Sequence, residues 1–479
     1  MPPEDHAPRR SSQPDALALF SVMWALAALW HLLGNPLNGP AWAQAILVAG
    51  VGAVLLRPGA TVPLGLLAIG GLLSMWTEAP LLGNHWLLAG FVDLAILLAL
   101  ATGLVRGRVG DRVDLANRLF PAARLCLLGF YAFAAFAKLN SAFFDRTVSC
   151  ATFYFNESTD SLNLAGLQLG DTAWLQRAVI FGTVAVELSI PLLLLVRRTR
   201  SVGVVVGVVF HGLLALDRSH QFFDFSSTLT ALFILFLPPV AGSWVVERVG
   251  SMRARLALRD EQLPGRVHLA LVAVPVVVGV LLVIDGITAE LAVDLGWWPW
   301  QLYAAGVTAT TISFLRQHRS SSERLLRPHH ALFALVPMLV LFNGLTPYLE
   351  LKTGYGWNMY SNLRTVDGES NHLLVRRTFP LTDEQEDVVT ILDTSSAALG
   401  RYAADGYGLT WRQLRSYLSE HPRVSITYQR GGETVALRHA SDRPELVEPV
   451  PSWREKVQLF RAVDLRSPER CVPSFGPAR

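Results

Sequence analysis

Lysine and arginine together number 41 in this chain of 479 residues, yet only Lys138, Lys352 and Lys456 are lysines. Lys138 closes an otherwise apolar run, YAFAAFAKLN, from Tyr131 to Asn140. A chain that defaults to arginine but places a lysine there gains an amine able to give up its proton. Desolvation favours the neutral amine, whereas a guanidinium stays charged and cannot act as a base. The alternative is a lysine that snorkels to the interface, which is ordinary at helix ends. Two histidines extend the candidate site. His85 stands in Gly83-Asn84-His85-Trp86, and His211 precedes the polar and aromatic stretch DRSHQFFD at 217–224. Histidine shuttles protons or hydrogen-bonds a carbonyl or enolate near neutral pH, and it also bonds one helix to another. Asp93 and Glu187 fall well inside apolar runs, where carboxylates are costly and face the bundle interior with a partner. Each is read as part of a proton relay, as a countercharge for Lys138, or as a protonated acid bonded between helices.

The elements that must position these groups are apolar segments near 17–34, 41–56, 61–75, 86–105, 119–139, 172–196, 202–216, 226–246, 268–284, 298–315 and 331–347. The chain is 51% hydrophobic and only 16% charged, far from the composition of a soluble protein. About eleven membrane helices are expected, with re-entrant segments as the alternative for the short runs 41–56 and 61–75. Residues 1–15 are polar and no cleavage site follows, so the first run is read as a mature helix. The connections alternate in charge. Arg9 and Arg10, Arg57, then Arg106, Arg108, Arg112 and Arg118 lie on one side. Arg197, Arg198 and Arg200 join them, as do Arg248, Arg253, Arg255, Arg259 and Arg266, and then Arg316, Arg319, Arg324 and Arg327. The opposite connections hold mainly acids, such as Glu78, Asp145, Asp171, Asp217 and Glu290. The positive-inside rule then sets a multi-pass protein of the cell membrane, with a cytoplasmic N-terminus and an extracytoplasmic C-terminus.

The fold class expected is an α-helical polytopic membrane protein (residues 1–350) with a small C-terminal α+β extramembrane domain (351–479). Strand-like runs stand at 372–377 and 387–393, a helical pattern at 409–421, and a hairpin across Gly431-Gly432. The polar loop 140–171 reads as a lid over the bundle mouth. By this topology Cys150 and Cys471 are both external, either bridged or apart, and Cys126 is a buried thiol. Asn156-Glu157-Ser158 matches a glycosylation sequon, but arginine- and alanine-rich usage points to a bacterial chain. No phosphate-cradling loop, Cys-x-x-Cys pair or His-Glu-x-x-His signature is present, so no metal is expected. The arginines are explained by topology, and no nucleic-acid partner is called for. The bilayer is the expected partner.

The segment FYAFAAFAKLNSAFFDRTVSCA resembles the signature of the HTTM family, the membrane domain shared by vitamin K-dependent gamma-carboxylases and many bacterial relatives. GNHWLLAGF, FHGLLALDRSHQFFDFSSTLTALFILFLP and PYLELKTGYGWNMYSNLRTVDGESNHLL resemble it too, so the likeness spans roughly residues 80 to 375. The resemblance implies a quinol-dependent, carboxylase- or epoxidase-like enzyme using a reduced quinone, a vitamin K hydroquinone-like molecule. Lys138 would be the base that deprotonates the quinol, His85 would stabilise an anionic intermediate, and His211 would assist. A secreted peptide or protein would be a second substrate. The external part is much smaller than that of animal carboxylases. The family also includes bacterial factors for secreted toxins, so the competing expectation is a non-enzymatic membrane factor for maturation, export or resistance of a secreted peptide. A transporter would need Gly/Pro-broken helices in matching halves, and these are not seen.

Overall fold

A computed structural model describes residues 13–35, 39–258, 260–318, 325–328 and 330–471. Arg9, Arg10, Arg259, Arg319 and Arg324 lie outside them. Every apolar run of the sequence falls on helix. The helices are α1 (Gln13–Gly34), α2 (Ala41–Leu56), α3 (Thr61–Glu78), α4 (Asn84–Val105) and α5 (Arg112–Phe136), followed by the short α6 (Ser141–Phe144) and α7 (Cys150–Ser161). Then come α8 (Ala173–Leu195), α9 (Arg200–Leu214), α10 (Phe222–Phe233), α11 (Val240–Ala257), α12 (Leu263–Val283), α13 (Ala289–Gln317) and α14 (Leu335–Leu345). Among the described residues, α1, α3, α4, α5, α8 and α12 are long and apolar enough to cross a membrane, which makes this a multi-pass membrane protein. α2, α9 and α14 are apolar but shorter.

By internal contacts the chain divides into two compact units. The first comprises 1–77, 88–128 and 190–339; the second comprises 78–87, 129–189 and 340–479. The division differs from the expected boundary at 350, because segments near Glu78, Lys138 and Cys150 cluster with the C-terminal residues.

In the first unit α1 is central, packed against α2, α10, α11 and α13. Its side chains are apolar nearly all round, as a helix enclosed on every side requires. α2 and α3 cross at glycines. A Cβ on Gly50 would stand 2.6 Å from the Leu67 Cα, and one on Gly70 2.7 Å from the Leu47 Cα. Small residues let membrane helices approach to backbone contact.

The run 226–246 is not one straight helix. α10 continues as a 3₁₀ turn to Phe236, and α11 then departs at 110°. The cause is Pro238-Pro239, which lack N–H donors and end the helix. Pro239 is four residues after Leu235, so the Leu235 carbonyl has no helical donor. Arg124 of α5 supplies one, its Nε donating at 2.7 Å, while its Nη1 donates to the Leu325 carbonyl at 2.9 Å.

In the second unit a five-stranded antiparallel sheet has the order β6-β5-β3-β4-β7. Its strands are β3 (Val388–Thr394), β4 (Tyr407–Thr410), β5 (Ile426–Arg430), β6 (Glu433–Leu437) and β7 (Val463–Asp464). The α15 (Ala397–Asp405) and α16 (Trp411–Glu420) helices cover it, burying Val389, Ile391, Leu399, Leu414 and Tyr428. A capping box of Thr410 and Gln413 starts α16. Gly431 and Gly432 both take positive φ, as the two-residue turn between β5 and β6 requires. The C-terminal part thus carries a small sheet with helices packed on it, as the α+β pattern of the sequence led us to expect. A separate hairpin, β1 (Thr365–Val366) and β2 (Glu369–Ser370), precedes it.

The strand expected at 372–377 does not form. His372 and Arg377 make only isolated bridges, to Asn140 and Glu369. The segment is held instead by scattered backbone bonds, such as the Leu373 amide to the Leu139 carbonyl at 2.8 Å, and by the His372 side chain.

Candidate functional site around Lys138

The site is built where α5 ends. Lys138 follows the last turn of α5 and is 3% exposed, so it does not snorkel. Its Nζ stands 2.9 Å from Glu187 Oε2 on α8. It also donates to the Ala134 carbonyl at 3.4 Å and the Met359 carbonyl at 3.3 Å. Three acceptors match the three N–H bonds of an ammonium. Of the two intramembrane carboxylates, Glu187 is thus the countercharge. Asp93, in the first unit, accepts a 2.8 Å bond from the Trp24 indole of α1 and serves as the acid bonded between helices.

The segment 350–362 supplies the roof. Glu350, Tyr355, Trp357, Tyr360 and Asn362 all have positive φ, between 50° and 57°. For non-glycine residues this costs roughly 1–2 kcal/mol each, and it persists only where the surroundings over-determine it. They do so here. The Trp357 indole donates to the Val340 carbonyl at 2.7 Å and its ring meets Phe130 edge-on at 5.0 Å. The Tyr355 hydroxyl accepts from the Leu82 amide at 2.9 Å, and the Tyr360 ring meets Tyr154. Arg461 reaches beneath, donating to the Asn358 carbonyl at 3.1 Å, and burial pulls its guanidinium down to about 10.

The loop 140–171 is no free lid. Asn140 is fully buried. Its amide donates to the Ala137 and Ser361 carbonyls, and its oxygen caps α6 through the Phe143 amide. Asn362 accepts from the Cys150 amide at 2.8 Å and donates to the Val148 carbonyl at 2.9 Å. Cys150 and Cys471 form a disulfide. The cysteine question left open by spacing is answered by these neighbours.

His372 escaped sequence reasoning because it sat in a run that reads as strand. It is 1% exposed, its ring tilted against that of Phe136 with the centroids 4.3 Å apart. Its Nδ1 accepts from the Leu374 and Val375 amides, both at 3.1 Å, so its Nε2 carries the proton and donates to the Phe136 carbonyl at 2.8 Å. Burial lowers its pKa, and the Phe136 bond opposes this only in part. It locks the end of α5 that presents Lys138.

The other expected residues are placed differently. His85 is half-buried on the first turn of α4, its ring folded back over Gly83. It is not among the described contacts of Lys138. His211 belongs to the first unit, where its Nδ1 lies 3.3 Å from the Ser226 hydroxyl of α10 and its ring lies against Phe225 and Phe233. That is a helix-to-helix bond within an aromatic enclosure. No family model, curated protein or solved structure matches this chain.

Proposed function

We propose that the protein is a multi-pass membrane enzyme of the quinol-dependent, carboxylase- or epoxidase-like type, with about eleven passes, a cytoplasmic N-terminus and an extracytoplasmic C-terminus. The observation that carries this reading is the buried Lys138–Glu187 pair beneath a strained, over-braced segment. Strain and buried charge gather at functional sites more often than elsewhere. The groups suit a phenol. Amine and carboxylate both take a proton from a hydroxyl, and the two carbonyl contacts beyond 3.2 Å are long enough to be exchanged for a substrate oxygen. A reduced quinone, when bound, supplies the hydroxyl whose deprotonation opens the ring to oxygen. Glu187 first takes a proton from the Lys138 ammonium, the neutral amine so formed accepts the quinol proton, and His85 hydrogen-bonds the anionic oxygen. His211 is assigned to packing.

The test is quinol oxidation or epoxide formation by purified protein in nanodiscs. Equal background rates for wild type and Lys138→Ala would sink the proposal. A second reading is favoured by the same geometry, because an amine with every N–H bond taken also suits a structural pair. In that case the protein is a non-enzymatic factor for maturation, export or resistance of a secreted peptide. Lys138→Ala would then spare its function in cells, while changes in the C-terminal domain would abolish it.

A further inference from the structure

Four large apolar side chains of the second unit stand exposed within the short segment 373–381, which the proposed chemistry does not use. They are Leu373, Leu374, Phe379 and Leu381, with Leu374 72% and Phe379 70% exposed. Clustered exposure of this kind marks a surface that meets something apolar. The segment is neither helix nor ladder, yet its height is fixed. The Leu373 amide donates to the Leu139 carbonyl at 2.8 Å, and His372 holds the Phe136 carbonyl. The Phe379 amide donates to the Tyr348 carbonyl at 2.8 Å, and the Leu381 amide to the Leu349 carbonyl at 3.0 Å. Both ends are therefore tied just past the last turns of α5 and α14. Because α5 is long and apolar enough to cross a membrane, its end lies where hydrocarbon gives way to water. α14 exposes Phe342 and Leu345, one turn apart, as a lipid-facing helix does near its end.

A surface that enters a bilayer must also leave no backbone donor unmet. Each of the four exposed apolar residues has its amide bonded, that of Leu374 to the His372 imidazole at 3.1 Å. Pro380 has no amide hydrogen to satisfy. Arg376 and Arg377 lie between the two apolar pairs, both exposed. Neither side chain has an ion-pair partner among the described residues, although Glu369 faces Arg377 across an isolated bridge.

We infer that residues 373–381 form an in-plane anchor in the membrane–water boundary at the end of α5. The four apolar side chains enter the acyl region, and the two arginines bind phosphates of anionic phospholipid. Three observations select a bilayer over a protein partner. The height of the segment is set by the ends of two apolar helices. Cations without a protein partner flank its apolar residues, the pattern of interfacial segments that bind anionic lipid. A peptide pairing along an extended segment would need free amides, and those of the apolar residues are taken. Nothing in the anchor depends on chemistry at Lys138 or on which side of the membrane α5 ends.

The experiment uses the full chain in mixed phosphatidylcholine–phosphatidylglycerol nanodiscs. Leu374→Cys and Phe379→Cys each place one thiol for a bimane label, since Cys126 is buried and Cys150 is bonded to Cys471. Glu433→Cys, exposed beside the β5–β6 turn, is the aqueous reference. Bimane at 374 and 379 should be quenched by a lipid with a nitroxide high on its acyl chain and shielded from aqueous iodide. At 433 the reverse should hold. In a second arm, diazirine-bearing phosphatidylglycerol should label the 371–382 stretch about 5-fold more than its phosphatidylcholine analogue, the worth of roughly one arginine at an anionic surface. Arg376→Gln with Arg377→Gln should bring the two lipids to parity and leave the nitroxide quenching in place. Iodide quenching at 374 and 379 as strong as at 433 would overturn the inference, by placing the segment in water. Shielding from both quenchers would overturn it too, by showing a protein cover such as a second copy of the chain. Equal labelling by the two lipids in the wild type, or a preference that survives loss of both arginines, would do the same for the anionic phospholipid.

Discussion

The ion pair of Lys138 and Glu187 is buried on both sides, with side-chain exposures of 4% and 14%. Removing one partner of such a pair costs about 3–5 kcal/mol, because the other charge is left uncompensated, whereas replacing both by apolar side chains is often neutral or better. Glu187→Leu alone should therefore lower the melting temperature of the detergent-purified protein sharply, and Lys138→Met with Glu187→Leu should restore most of it. A double variant as unstable as the single one would show that the pair is not what holds the two helices there. His372 gives a second expectation, with a pH sign. Its folded pKa lies below the ordinary value of about 6.5. As the pH falls below that value, the unfolded chain takes up a proton that the folded one refuses. The stability is then complete above about pH 6.5 and is lost on acidification. The melting temperature should fall more steeply between pH 7 and pH 5 in wild type than in His372→Gln, and parallel curves would refute this. Lys138 was legible in the sequence because lysine is so scarce. Glu187 was visible only as one of two carboxylates, since the choice between them depends on which helix face meets Lys138. His372 lies 234 positions after Lys138 and carried no local signal.

Helices were the most legible level, because membrane-length apolar runs leave the backbone no other way to satisfy its hydrogen bonds. What hydropathy misses is direction. The 226–246 run is continuous in apolarity, yet Pro238-Pro239 turn it by 110° and leave α11 bearing Arg248, Arg253 and Arg255. Part of the expected eighth connection is thus helix. The strand expected at 372–377 failed for a local reason: the run HLLVRR reads as strand, but the His372 imidazole takes the amides of Leu374 and Val375 itself. The bend also makes a measurable demand. Arg124 replaces the donor that Pro239 lacks, so Arg124→Met should leave the Leu235 carbonyl unmet and cost about 1–3 kcal/mol. Arg124→Met combined with Pro239→Ala, which restores an N–H four residues after Leu235, should recover part of that loss in thermal unfolding. If the second change adds damage instead, the arginine is not standing in for the helical donor.

At the scale of the whole chain, the disulfide joins residues 321 positions apart and lies within one compact unit together with Lys138. Such a bond persists where the compartment is oxidising, and in bacteria that is outside the cytoplasm. The proposed orientation therefore rests on two independent physical arguments: charge sets orientation during insertion, and a bond between Cys150 and Cys471 fits an extracytoplasmic placement of both. The two must agree. A C-terminal alkaline phosphatase fusion should be active and a C-terminal green fluorescent fusion dark. Fusions after Arg106 or Arg197 should show the reverse. Joining distant positions also restricts the unfolded chain, by up to about 5 kcal/mol for so long a loop. Cys150→Ser with Cys471→Ser should therefore lower the melting temperature and expose the 162–171 segment to protease, while reductant does the same to wild type. Should the phosphatase fusion prove inactive at the C-terminus while the disulfide still forms in the purified protein, the bond would be an artefact of oxidation after lysis. Lys138 would then face the cytoplasmic side, and the orientation drawn from the arginines would be reversed.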